Sequence, residues 1–369
     1  MNVLLLGLSP SVGMQFYTAG VANTLVEAGH RVWVVGADAE RASAYDRRVR
    51  LVSGFDHPGT GPSRSAFDPF QLWRLLRLAS RIEPAVIHMT GPHLWNWPVT
   101  RAFFRRVPLI LTQHDASTHL GARSERLKRV FRQAVMAHVD CVLVHSQAVA
   151  QALACPARVL PLVHHNFDYD LYRRIRDDEA YAPRYDSLAI LFGRLEEYKG
   201  VRQFAAAAQI LAAAGEDGLR LVIAGSGRLS QELSAYDCPP NLEIRSRLLG
   251  DRETIALFEE AGLVVLPYSE GSQSALIPLA YLFQKPVLVT RVGALAEYVR
   301  DAETGIVIDS NEPSLLARKL GELLGNKERL ADMGRAGKAL LLTMEADFRS
   351  GLLDIYGSLA RSVPEAAEA

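Results

Sequence analysis

The sequence predicts an α/β protein made of two tandem doubly wound domains, and three observations carry that prediction. Short, continuous apolar runs alternate with helical patterns, the alternation starts afresh near residue 188, and a polar stretch separates the two series. Apolar runs without a polar face read as parallel strands, because the crossover helices of such a sheet cover it on both sides. A length of 369 residues fits two domains of ordinary size, and 49% hydrophobic with 22% charged residues is a globular profile.

Residues 3–7 form the first expected strand. A loop leads to a helix at about 17–28, and 30–36 gives the next strand, which completes a βαβ unit. Further strands are expected at 85–88, 109–112 and 141–144, with helical patterns near 70–81 and 124–138. The second series opens with a strand at 188–192, an Ala-rich helix at 201–214 and a strand at 219–224. A strand at 241–244, a helix at 255–261, a strand at 263–266, a helix at 275–283 and strands at 286–290 and 306–308 follow. The stretch at about 165–187, with Arg173 to Glu179 and Pro183, reads as an irregular linker. The expected domains are therefore 1–168 and 169–345, with a last helix at 346–361 crossing back to the first. Open parallel sheets gather ligands at the carboxyl ends of their strands, so two such domains are expected to face each other across a cleft.

Net charge is zero but unevenly spread: residues 1–165 hold 18 Lys and Arg against 10 Asp and Glu, and the remainder 23 against 31. That split of +8 and −8 speaks about partners and not about fold. The helix at 124–138, with Arg126, Lys128, Arg129 and Arg132, and the run Arg101-Ala102-Phe103-Phe104-Arg105-Arg106 concentrate the positive charge. They read either as a solvated face or as an approach to an anionic membrane surface or a lipid diphosphate. No nucleic-acid motif accompanies them. Cys141, Cys155 and Cys238 are odd in number and lack metal-type spacing, which argues against a disulfide framework or a zinc site and fits a reducing cytoplasm. The opening Met1–Gly7 lacks a basic lead and a cleavage site, and no apolar run approaches the ~20 residues that span a bilayer. The expected location is the cytoplasm, with peripheral contact at the inner face of the plasma membrane.

Three glycine-punctuated turns follow apolar runs. They are Gly193-Arg194-Leu195-Glu196-Glu197-Tyr198-Lys199-Gly200, Ala224-Gly225-Ser226-Gly227 and Pro267-Tyr268-Ser269-Glu270-Gly271-Ser272-Gln273-Ser274. Cations, small hydroxyls and bare backbone at strand ends are suited to a phosphorylated ligand. Arg194 and Lys199 lie five positions apart across a turn, a spacing that lets a planar fork and a point charge converge on one diphosphate. Spacing alone equally allows an ordinary surface pair. The amides of Gly271, Ser272, Gln273, Ser274 and Ala275 precede a helix and suit a phosphate or sugar oxygen, while a simple N-cap by Ser272 or Ser274 is the plainer reading. Gly225, Ser226 and Gly227 would let backbone approach a nucleotide or merely make a turn. Gly13, in the first βα loop, leaves room for a donor phosphate or an acceptor. The three-glycine dinucleotide fingerprint is missing, so no bound NAD is expected.

The order of these motifs, continued by Lys285-Pro286-Val287, Val292-Gly293 with Glu297, and Thr304-Gly305, resembles the retaining glycosyltransferases of family 4. Their GT-B fold pairs two Rossmann-like domains, and the resemblance spans nearly the whole chain, densest over 188–308. It implies transfer of a sugar from a nucleotide diphosphate sugar to a hydroxyl of a glycan or lipid-linked saccharide. Arg194 and Lys199 would grip the diphosphate and stabilise charge on the leaving group. Arg247, Leu248 and Leu249 match the segment whose backbone meets the base. His114, in Thr112-Gln113-His114-Asp115, would bond the donor sugar or stabilise developing charge, with Asp115 orienting it. Without that frame, a lone His at a strand end is more often structural. The resemblance also implies no metal and no cofactor, helix dipoles and cations standing in for a divalent ion. His88, His93, His145, His164 and His165 show no metal-binding helix spacing.

The chain departs from the family at one place. Two glutamates eight positions apart are usual, the first touching the donor sugar and the second the ribose. With Lys285-Pro286-Val287 as register, they fall on Gly271 and Leu279. Glu270 would meet the sugar after a small loop shift, and nothing replaces the second carboxylate. The run 272–281 resembles a subgroup with a Ser-Gln-Ser loop found among bacterial polysaccharide-assembly transferases. Two alternatives stay open here: a non-catalytic partner that binds sugar nucleotides, and a nucleotide-sugar 2-epimerase of the same architecture.

Overall fold

Thirteen parallel strands among the described residues form two sheets, each the centre of its own compact unit. The chain was analysed as a computed structural model. It describes residues 1–9, 11–37, 39–55, 68–115, 125–153, 155–162, 167–216 and 218–361, with only the backbone of 125–129. Unit 1 comprises Met1–Arg174 and Glu345–Ala369, and unit 2 comprises Ile175–Met344.

In unit 1 the strands are β1 (Asn2–Leu6), β2 (Arg31–Val35), β3 (Arg50–Val52), β4 (Val86–Met89), β5 (Leu109–Thr112), β6 (Cys141–Val144) and β7 (Arg158–Val159). They lie in the order β3-β2-β1-β4-β5-β6-β7. The helices are α1 (Val12–Glu27), α2 (Pro69–Ile82), α3 (Asn96–Phe103), α4 (Glu125–Met136), α5 (Gln147–Ala152) and α6 (Tyr169–Asp177). Leu4, Leu6, Ile87, Met89, Leu109 and Leu111 are buried in one apolar cluster with Leu75 of α2 and Val99 of α3, as expected for strands covered by crossover helices.

Unit 2 contains β8 (Leu188–Phe192), α7 (Val201–Ala213), β9 (Arg220–Ala224), α8 (Ser230–Ser234), β10 (Leu242–Arg245), α9 (Asp251–Glu260) and β11 (Leu263–Leu266). It continues with α10 (Leu276–Leu282), β12 (Val287–Thr290), β13 (Gly305–Ile308) and α11 (Pro313–Leu324). The strand order is β10-β9-β8-β11-β12-β13. A last helix, α12 (Lys327–Arg361), begins in unit 2 and ends in unit 1. No described helix is long and apolar enough to cross a membrane.

Several elements differ from the sequence reading, each for a local reason. α1 starts at Val12 rather than near 17, because Gln15 anchors its first turn by donating to the carbonyls of Gly7, Ser9 and Gly36; Gly13 therefore lies in that turn and not in a loop. β3 and β7 span three and two residues, too few to show a period. The 165–187 stretch contains α6, whose polar sequence hides two buried tyrosines: Tyr169 donates to Glu27 and Tyr172 to Glu345. Lys285 and Thr304 turn out to serve the core. The buried Lys285 ammonium donates to the carbonyls of Arg184 and Glu259, the latter at the C-terminal end of α9, and Thr304 shares a hydrogen bond with Tyr281.

Three histidines lie near one another inside unit 1. His88 sits 2.7 Å from both Tyr356 Oη and Thr112 Oγ1, and Thr112 also meets Tyr17 Oη at 3.0 Å. The His114 and His145 rings lie 5.2 Å apart, with the edge of Tyr17 against both. Burial holds all three imidazoles below the ordinary value, His88 at about 3. Below pH ~6.5 the unfolded chain therefore binds more protons than the folded one. Unit 1 should keep its full stability above that pH and lose up to ~1.4 kcal/mol per pH unit for each imidazole as the pH falls. All four tryptophans, Trp33, Trp73, Trp95 and Trp97, belong to unit 1, so their emission during urea denaturation reports on it. Equal midpoints at pH 7.5 and pH 5 would refute the expectation.

Candidate functional site

Both sheets reverse strand order once in the manner of doubly wound folds: after β1 and β4 in unit 1, and after β8 and β11 in unit 2. In open parallel sheets ligands gather at such a reversal, at the carboxyl ends of the strands. The glycine-punctuated turns after β8 and β11 lie at the reversal in unit 2, and the one after β9 lies beside it.

In unit 2 the loops are locked together by backbone contact. A Cβ on Gly225 would lie 1.8 Å from the Gly193 carbonyl oxygen, one on Gly200 1.9 Å from that of Pro267, and one on Gly293 1.4 Å from that of Gly271. Leu195 N donates to Ser226 O, Ser269 N to Tyr198 O and Leu229 N to Leu195 O. Gly225 and Gly227 thus have an evident structural use, since they admit the Gly193–Leu195 backbone.

Lys199 is held by this frame. It is 8% exposed, its Nζ donates to Tyr268 Oη at 2.5 Å and lies 4.1 Å from the centre of that ring, and Tyr268 Oη meets Ser274 Oγ at 3.2 Å. Arg194, exposed, donates to Tyr198 Oη at 3.1 Å, and the Tyr198 and Tyr268 rings meet edge to face. The two cations therefore flank one pair of tyrosines. Burial pulls Lys199 down to about 8; Tyr198 and Glu196 oppose that shift, while Arg194 adds to it. Burial also pushes the Tyr268 hydroxyl above the ordinary phenol value, so it stays protonated. A buried ammonium facing a neutral phenol, with a guanidinium beside it, is an arrangement that an anion would stabilise.

The loop carrying Glu270, Gly271, Ser272 and Gln273 is half-buried, and Ser274 is buried. α10 begins at Leu276 with Ala275 as its helical N-cap, and Ser274 Oγ accepts from Leu276 N at 3.4 Å. Leu279 is 3% exposed, and α10 carries no carboxylate. Arg247 is exposed and forks onto Glu253 at 2.5 and 2.9 Å, beside the exposed Leu248.

In unit 1 a cavity of about 230 Å³ lies where the segments following β1, β4 and β5 meet α4. His114 and Asp115 line it together with Ser9, Met14, His93 and Trp97. His114 Nε2 is 3.1 Å from Thr90 O, and Gln113 Nε2 donates to Asp115 O at 2.5 Å. Gly13 is exposed. His164, His165 and the side chains of Arg126, Lys128 and Arg129 lie outside the described residues. Among the described residues no group of three or more His, Cys, Asp or Glu is arranged to hold a metal ion.

Tyr198 and Tyr268, which join Arg194 and Lys199, are not singled out by the sequence. Tyr268 lies two positions beyond β11 within the third glycine-punctuated turn, which is the signal that marks it.

Comparison with known proteins follows the same division. The profile for glycosyl transferases group 1 matches residues 187–326, and that for glycosyltransferase family 4 matches 12–165. A D-inositol 3-phosphate glycosyltransferase 1 of Catenulispora acidiphila is 30% identical over 365 residues, covering 88% of this chain and 85% of that protein. The Corynebacterium glutamicum D-inositol 3-phosphate glycosyltransferase is 25% identical over 374 residues, covering 89% and 87%. Among solved structures, Anabaena Alr3699/HepE in complex with UDP-glucose superposes with a TM-score of 0.72 at 17% identity, covering 97% of this chain and all of that one. Sucrose-phosphate synthase of Thermosynechococcus elongatus gives 0.70 at 16%, covering 98% and 99%. These structures share the fold.

Gly200 and Gly215 both have positive φ, +70° and +76°, but only Gly200 faces a backbone oxygen. Gly200→Ala should therefore destabilise unit 2 by about 2 kcal/mol or more, and Gly215→Ala by about 1. Circular dichroism through a denaturant titration measures the difference; equal effects would show that the contact with Pro267 is not limiting.

Proposed function

Because this chain belongs to glycosyltransferase family 4 and is a GT-B glycosyltransferase, we propose that it moves a sugar, with retention of configuration, from a nucleoside diphosphate sugar to a hydroxyl of a glycan or lipid-linked saccharide. The observation that carries the donor half is the buried Lys199 ammonium beside Arg194 at the reversal of strand order in unit 2. As the glycosidic bond breaks, negative charge grows on the departing diphosphate. A guanidinium and an ammonium already held in place stabilise that charge without reorganising at the moment of reaction. The Gly271–Ala275 backbone, with Glu270, would position the donor sugar and phosphate, and Gly225–Gly227 with the 247–249 segment would border the nucleotide. Structural relatives in complex with UDP and UDP-glucose support a uridine donor as the first to test. In unit 1, His114, kept neutral by burial, and Asp115 would line the acceptor side, with Gly13 nearby. Peripheral attachment to an anionic membrane through the front-half cations is part of the same reading.

Radiolabelled UDP-, GDP- and ADP-sugars incubated with saccharide acceptors test the assignment. A labelled product of retained anomeric configuration is expected, and donor binding without transfer or hydrolysis in any combination would overturn it. Arg194→Ala and Lys199→Ala should each lower turnover on the order of 10²-fold. Wild-type rates in both would remove the pair from the mechanism.

The Lys199 value gives a pH signature. An anionic diphosphate binds the protonated amine, which the free protein holds fully only below about 8. Donor affinity should therefore be level below that pH and fall about ten-fold per unit above it. Lys199→Met should flatten the profile, and an unchanged slope in that variant would assign the titration to another group.

A further inference from the structure

Lys199 is 8% exposed, so water does little to hold its charge, and burial of an ammonium favours release of the proton. The groups that face it oppose that release only in part. Tyr198 and Glu196, on its own turn, favour the charged form, while the Arg194 guanidinium disfavours it. The carboxylate of Glu197, the other acid of that turn, is engaged by Arg202 at 2.5 and 2.6 Å. From the loop after β11 the Tyr268 hydroxyl reaches the amine and accepts its hydrogen bond at 2.5 Å.

Tyr268 is itself fixed from both sides. It is buried, Thr290 Oγ1 at the end of β12 donates to its carbonyl at 2.6 Å, and its ring meets that of Tyr198 edge to face. Because the ammonium donates to Oη, the phenolic hydrogen is left for Ser274 Oγ at 3.2 Å, which also accepts from Leu276 N at the start of α10. A hydrogen-bonded line therefore runs from Lys199 through the phenol to the loop that precedes α10. The residue type suits the place. A carboxylate there would hold the ammonium but neutralise it towards an anion, and a phenylalanine would leave it without an acceptor. A phenol that burial keeps protonated accepts the hydrogen bond and adds no charge.

Resting on the reading of Lys199 as a ligand of the donor diphosphate, we infer that Tyr268 is a positioning residue for sugar transfer: its hydroxyl keeps the Lys199 amine protonated and aimed, and ties it to the Ser274 loop. The phenol acts through the lysine and not on the substrate. Cation and loop, the two parts of the donor site, are thereby presented in one arrangement.

Tyr268→Phe removes the hydroxyl and keeps the ring, and circular dichroism verifies that the variant folds. The chain has six lysines, so carbon-13 NMR of full-length protein labelled at the lysine ε-carbons follows each amine through its titration, and Lys199→Met identifies the Lys199 signal. In the wild type that signal should titrate at about 8. In Tyr268→Phe its midpoint should fall by about one pH unit, as loss of a hydrogen bond to a charged group requires. Lys285, also buried in unit 2, donates to backbone carbonyls and should keep its own midpoint. An unmoved Lys199 midpoint would overturn the inference. So would an equal fall at Lys285, which would show a general loosening of the unit.

Calorimetry with whichever of UDP, GDP and ADP the wild type binds most tightly reads the consequence. Tyr268→Phe should match the wild type at pH 6, where the amine is protonated in both, and bind about ten-fold more weakly at pH 8.5. A ten-fold deficit at both pH values is the mark of a packing role alone and would overturn the inference. A different result exposes the reading beneath it. If the Lys199 midpoint falls as expected but none of the three nucleotides binds, or Lys199→Met binds as the wild type does, the hold of the phenol on the lysine stands and the diphosphate reading fails.

Discussion

The chemistry proposed for unit 2 depends on neighbouring loops coming closer at the ends of the parallel strands than any side chain would allow. Where strand order reverses, the loop after β8 meets that after β11, and the loops after β9 and β12 close on them from either side. Glycines at 200, 225 and 293 permit this, each lacking a Cβ that would collide with a carbonyl oxygen of the adjoining loop. From this follows the burial of Lys199. The residue is buried there, and its amine donates to the Tyr268 phenol. An ammonium so placed is electrostatically costly, and an anion beside it would lower that cost.

Unit 1 solves the same topological problem with different material. Its reversal point, after β1 and β4, is closed by the α1 side chains Gln15 and Met14, the first gathering three carbonyls and the second lying against Gly91. Below it, imidazoles and hydroxyls form a buried polar layer, with Tyr17, Thr112 and Tyr356 satisfying one another and His88. Such layers define a single arrangement of their elements, because a misaligned partner would strand a polar group in the interior. The neighbouring cavity combines apolar side chains such as Trp97 and Phe131 with His114, Asp115 and Arg132.

The sheets were legible in the sequence because strands buried on both faces leave an uninterrupted apolar signature, as at Val86–Met89 and Leu263–Leu266. Edge strands such as Arg158–Val159 left none, being too short and too polar. α6 was hidden because its burial rests on two tyrosine hydroxyls and not on an aliphatic stripe. Around Lys199 the sequence supplied the two cations but not the tyrosines between them, since Tyr198 and Tyr268 are brought together by tertiary contact across 70 positions. The glycines invite a ligand-facing explanation, yet Gly200, Gly225, Gly227 and Gly293 accommodate another stretch of the same chain. Lys285 and Thr304 carried the family pattern for reasons of packing, a distinction that spacing alone does not draw.

The discontinuity of unit 1 has a bearing on how the chain is made. Residues 175–344 are contiguous, so that half can finish its core as soon as it emerges from the ribosome. The first half, although synthesised earlier, lacks Phe348 beside His145 and Tyr356 on His88 until the end of α12 has been translated. Its nascent form must wait with an incomplete interior while all of residues 175–344 is added, so it is exposed for longer during biosynthesis than the half made after it.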